Sequence, residues 1–224
     1  MSDFTIGELD QDGALAEAMA SVHGDTRAGL FRKVLVGGAA LIGAGALPAS
    51  AAAQSDSDVA ILNYALTLEL IQDSFYSEVE RIGAIKGPLG EQARVVAEHE
   101  RAHVRAFQDV LGAKAVKRAK FDFRGATENP EAFRQTAVAF EDLAVAAYKG
   151  AAPLIKNKAY LASALSIHTV EARHAAWIRR LANVVPAADA FDEPRSRAST
   201  LKVVERANFT VQMESSGRSP RFTG

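Results

Sequence analysis

Val96-Ala97-Glu98-His99-Glu100-Arg101-Ala102-His103-Val104 is the stretch that decides the fold. At helical spacing, Val96, Ala97, Glu100, His103, Val104 and Phe107 share one face, so a carboxylate and an imidazole stand inside an apolar stripe. Ala164, Ile167, Glu171, His174, Ala175 and Ile178 repeat the layout later in the chain. Chance placement of 15 glutamates and 5 histidines in this chain would give roughly a third of one Glu-x-x-His. Two occur, each in the middle of a helical pattern. Burying a carboxylate costs on the order of several kcal/mol unless its charge is met, so these stripes ask for a counter-charge.

Two further helical patterns carry the same anomaly. Glu69 lies in line with Leu62, Leu66 and Tyr76, and Glu141 with Val138, Val145 and Tyr148. Glu69 to Glu141 is 72 positions, while Glu100 to Glu171 and His103 to His174 are each 71. The chain is therefore an internal repeat whose two copies bear the same chemistry. Four carboxylates carry the charge that two divalent cations neutralise, and each Glu-x-x-His pair offers oxygen and nitrogen from adjacent turns of one helix. Neutral imidazoles add ligands without changing that balance. Such a donor set, rich in hard oxygen, favours two iron or two manganese ions. Tyr76 and Tyr148 each lie seven residues after their helix's glutamate. They either fill the core or donate to a ligand carboxylate. His99 and His168 have no counterpart in the other half and read as structural histidines, although His168, one turn before Glu171, could approach the site. Asp73, one turn after Glu69, reads as a polar rim residue, the alternative being a group that orients a ligand histidine. Glu98 should point off the stripe, and His23 lies outside the bundle.

The segmentation agrees with an all-α chain. A first helix follows Asp56-Ser57-Asp58 and stops at Gly83; a second opens at Pro88 and ends at Gly112. Asn129-Pro130-Glu131 announces a third, which fades from Gly150 to Pro153. A fourth runs from about Asn157 to Val185, where Pro186 ends it. Short links within each pair force two antiparallel hairpins, and the long stretch from Ala113 to Asn129 joins them. Its Lys114, Lys117, Arg118 and Lys120 read as a solvated connection.

Glu, Glu-x-x-His, Glu, Glu-x-x-His on successive helices resembles the ferritin-like superfamily of di-metal carboxylate proteins. The likeness covers residues 56–185 and is strongest to the bacterial ferritin-like domain proteins related to desiccation-associated proteins. It implies a four-helix bundle of two antiparallel hairpins joined by a long crossover. It also implies a metal site of Glu69, Glu100, His103, Glu141, Glu171 and His174, with Glu100 and Glu171 bridging the metals and Glu69 and Glu141 terminal.

Outside the bundle, three features of residues 1–53 match an export signal. Residues 1–26 are a polar, acidic lead; Arg27, Arg32 and Lys33 precede the apolar run Val34 to Leu47; and Pro48 to Ala53 offers cleavage after Ala51 or Ala53. Thr26 to Lys33 resembles a twin-arginine signal but lacks the adjacent arginine pair, leaving twin-arginine and Sec export both open. The chain is thus expected in the periplasm, envelope or medium, or membrane-anchored through residues 34–53 if that run is retained. The domain reading is 1–53 export signal, 54–185 bundle and 186–224 irregular tail, in which Leu201, Val203 and Val204 could pack on the bundle. A net charge of −1 argues against nucleic acid as a partner, and the absence of cysteine excludes thiolate sites and disulfides. The expected partners are metal ions and dioxygen or peroxide, with a homo-oligomer an open alternative to a monomer. The expected function is ferroxidase-like or manganese-catalase-like chemistry in oxidative or desiccation stress outside the cytoplasm. The competing expectation is a non-enzymatic, metal-stabilised structural stress protein.

Overall fold

The first helix, α1 (Asp56–Ile82), presents Leu62, Leu66, Glu69 and Tyr76 inward and stops at Gly83. That glycine takes φ +66, and its N–H closes on the Val79 carbonyl at 2.9 Å. The chain turns through residues 83–86 into α2 (Gly87–Leu111), with Pro88 in its first turn. After the crossover come α3 (Pro130–Ala151), α4 (Lys158–Leu181) and a short α5 (Arg197–Ala207). The structure is a computed structural model that describes residues 56–211. The expected export signal at 1–53, with its membrane alternative at 34–53, lies outside the described residues. Among the described residues, no helix is long and apolar enough to cross a membrane.

Caps set the starts of α3 and α4 where the sequence places them. The Asn129 side chain accepts from Glu131 N and Ala132 N at 2.9 and 3.0 Å; that of Asn157 accepts from Ala159 N and Tyr160 N. Asp58 behaves differently from a cap of its own helix. It sits inside α1, buried, and accepts from the Lys156 and Asn157 amides at 3.0 Å each, tying the start of α1 to the α3–α4 link. The fourth helix ends earlier than Val185. Asn183 adopts φ +58 and Val184 N reaches back to Arg179 O at 2.9 Å, a left-handed stop that acts before Pro186.

The two hairpins, α1 with α2 and α3 with α4, pack face to face as an all-α four-helix bundle with one long crossover. Its core has two large apolar blocks and a smaller one of Tyr64, Leu68 and Ala147. Of the large blocks, one is centred on Phe75, Phe123 and Phe133, the other on Leu66, Phe107 and Ile167. The crossover is less solvated than its charges suggest. Arg118 donates to Asp73, to Ser74 Oγ at 2.6 Å and to Leu70 O, while Phe123 and Thr127 are buried.

Residues 186–211 are not simply irregular. The chain crosses α3, with Arg195 N donating to Ala146 O at 2.9 Å, and then forms α5, capped by Ser196. Thr200 is fully buried and Arg197 lies over the Tyr64 ring, whereas Leu201 and Val203 are 37% and 39% exposed and Val204 packs on the core. Phe121 and Thr210 then form an antiparallel bridge, and Phe209 packs against Phe123 and Phe140. A polar, proline-containing sequence hides this docking because few of its side chains are buried and part of the anchoring is by backbone groups.

Candidate metal centre

At mid-height the four long helices bring Glu69 (α1), Glu100 and His103 (α2), Glu141 (α3), and Glu171 and His174 (α4) together. The carboxylates are 0% exposed and the imidazoles 4% and 2%. They form two groups in which one donor atom per residue lies within 4.8 Å of the others: Glu69, Glu100, His103 and Glu171; and Glu100, Glu141, Glu171 and His174. Glu100 and Glu171 belong to both. His103 Nδ1 lies 3.1 Å from Glu69 Oε2 and 3.1 Å from Glu171 Oε1. His174 Nδ1 lies 3.3 Å from Glu100 Oε1 and 3.5 Å from Glu141 Oε2.

The tyrosines cross between the halves. Tyr76, on the helix of Glu69, donates to Glu141 Oε1 at 2.5 Å, and Tyr148, on the helix of Glu141, donates to Glu69 Oε1. Seven residues carry each phenol two turns from its own glutamate, to a level where it meets the opposite hairpin instead. Each phenol thus fixes one oxygen of a carboxylate and leaves the other directed at the cluster. Asp73 is engaged by Arg118 and Ser77 and orients neither histidine of the cluster. Glu98 is exposed, as its position off the stripe requires. His168 is half-buried, 6.5 Å from the Tyr148 ring centroid.

His99 is the residue that sequence reasoning missed. Its Nδ1 lies 2.8 Å from His174 Nε2, and the two rings are nearly parallel. The signal available was its spacing of four from His103, which puts both imidazoles on the same side of α2. Gln92, two turns before Glu100 on the same stripe, is also fully buried.

So much buried charge shifts every group it touches. Burial, with the charges of Glu171 and Glu69, holds the Glu100 carboxyl well above the usual range. Burial pushes Glu141 up to about 7. Burial also works against Glu171, but its proximity to His103 and His174 outweighs that and holds it below the usual range. The two histidines are the reverse case: burial lowers them, and the surrounding carboxylates raise them well above an ordinary imidazole. Both phenols are raised well above normal by burial and by the neighbouring carboxylates, so they remain protonated donors.

The donor set fits metal ions. Both oxygens of Glu100 and of Glu171, Glu141 Oε2 and His174 Nδ1 are buried without a hydrogen-bond partner. Orphaned carboxylate oxygens at the centre of a bundle are costly unless a cation meets them. This buried cluster of acidic and imidazole groups is compatible with a di-metal site on ferritin-like helices. The model of the ferritin-like domain family matches residues 57–184, more than half of the chain, and the chain belongs to that family. No curated protein matches it at a significant level.

Proposed function

We propose that the protein holds two iron or two manganese ions and uses them on dioxygen or peroxide, or to oxidise ferrous iron. Glu69 and His103 would hold one ion and Glu141 and His174 the other, with Glu100 and Glu171 shared. The observation that carries this reading is the membership of Glu100 and Glu171 in both ligand groups. Two redox ions held there would supply a two-electron change between them. The chain's own residues supply the rest. Tyr76 and Tyr148 hold Glu141 and Glu69 in place, and the apolar blocks on either side exclude bulk water. The setting we propose is oxidative or desiccation stress outside the cytoplasm, reached through the signal at 1–53.

A second reading has one observation in its favour. All six ligands are at most 4% exposed, as suits ions that merely hold the helices together in a structural stress protein. One experiment separates the two. Elemental analysis of protein from its own host should return about two iron or manganese ions per chain. Ferrous loading without oxygen, followed by air, should then produce the charge-transfer absorption of a ferric pair, and the manganese form should consume peroxide. Glu100→Ala and Glu171→Ala should abolish both while the helical circular dichroism persists. Metal-dependent melting without turnover would support the structural reading, and a wild-type protein that takes up no metal overturns both.

A further inference from the structure

We propose that His99 is the positioning residue for the metal site formed around Glu141 and His174. The inference rests on the metal assignment above and adds a residue to it. His174 presents Nδ1 to the cluster, 3.3 Å from Glu100 Oε1, 3.5 Å from Glu141 Oε2 and 3.8 Å from Glu171 Oε2. Its Nε2 points the other way, 2.8 Å from His99 Nδ1. For Nδ1 to offer its lone pair to a cation, the ring proton must sit on Nε2. That proton then donates to His99 Nδ1, which accepts it when His99 carries its own proton on Nε2. The opposite tautomer of His174 would aim an N–H at the cation. The contact therefore selects both the tautomer and the ring angle of the ligand.

Geometry also separates His99 from the other candidate for this role. Asp73, a buried carboxylate one turn after Glu69, is committed to Arg118 and Ser77. The bond from His99 runs from α2 to α4, joining the two hairpins directly behind the ligand. The repeat does not require it: 71 positions after His99 stands Val170, which has no acceptor.

The test uses the full chain and Mn(II), with binding followed by loss of the free-ion electron paramagnetic resonance signal. On a Glu69→Ala background, which keeps the Glu141–His174 position, His99→Val should weaken Mn(II) by about 10–100-fold. His99→Gln should restore most of that, because its amide oxygen can accept from His174 Nε2–H. On a Glu141→Ala background, which keeps the Glu69–His103 position, His99→Val should leave the affinity within about twofold, since the 2.8 Å contact of His99 is to His174, the ligand of the other position. Equal weakening on both backgrounds, no weakening on the first, or a glutamine variant as poor as valine overturns the inference. A wild-type chain that binds no Mn(II) and no Fe(II) would instead overturn the metal assignment beneath it.

Discussion

Gly150→Ala sets two known effects against each other. In a helix, replacing glycine with alanine ordinarily stabilises by about 1 kcal/mol, because alanine loses less backbone entropy. Gly150 lies in the last turn of α3, directly beneath residue 195 of the strap that leads to α5. A Cβ there would stand 2.1 Å from Arg195 O, 2.9 Å from its carbonyl carbon and 3.2 Å from its nitrogen. All three are backbone atoms, so no rotamer change relieves the overlap. The strap must lift, which breaks the Arg195 N–H bond to Ala146 O at 2.9 Å and loosens the seat of Thr200. Losing that bond costs about 1 kcal/mol, and forced repacking adds about 1–3 kcal/mol. After the propensity gain, net destabilisation should be about 1–3 kcal/mol. For a chain of this size that lowers Tm by roughly 3–9 °C. Thermal melting reads the total, and limited proteolysis between residues 186 and 196 reads the lifting, with cleavage faster in the variant. A variant more stable than wild type by about 1 kcal/mol, with unchanged proteolysis, would show that the strap does not cross α3 there.

Two further outcomes follow from the buried charges. Glu141 is raised to about 7, and Glu100, His103 and His174 are raised as well. The folded, metal-free chain therefore binds more protons than the unfolded one through the neutral range. The contribution of Glu141 is full below the ordinary carboxyl range and lost as pH rises to about 7; those of the histidines fade as pH rises past the ordinary imidazole value. Glu171, with its lowered pKa, has the opposite sign, but its contribution is lost only in acid. Tm in chelator should thus fall between pH 5.5 and 8, and the increment produced by Mn(II), which displaces those protons, should grow; an increment flat with pH would contradict the site. Tyr148→Phe removes the donor to Glu69 Oε1 and should cost the metal-free protein about 1.5–3 kcal/mol in urea unfolding, with Tyr76→Phe comparable through Glu141. Mn(II) should shrink both losses, because the cation then holds the carboxylates; losses unchanged by metal would mean the phenols only fill space.

The periodicity of single helices made the bundle and its six clustered glutamates and histidines legible in the chain alone. Glu100 with His103 and Glu171 with His174 are held on one face by the helix's own geometry, and the 71- and 72-residue offsets show that the two hairpins repeat. Asn129-Pro130 and Asn157 mark helix starts because capping depends on neighbouring backbone amides. What the chain alone left open are relations between elements. Whether a tyrosine two turns below one glutamate meets that residue or its counterpart depends on the offset between helices, which packing sets. The crosswise Tyr76–Glu141 and Tyr148–Glu69 bonds appear only in three dimensions. The same is true of His99 behind His174, Asp58 on the α3–α4 link, and the strap over Gly150. Local spacing fixes which side chains share a face; only the docking of one helix on another fixes which atoms that face meets.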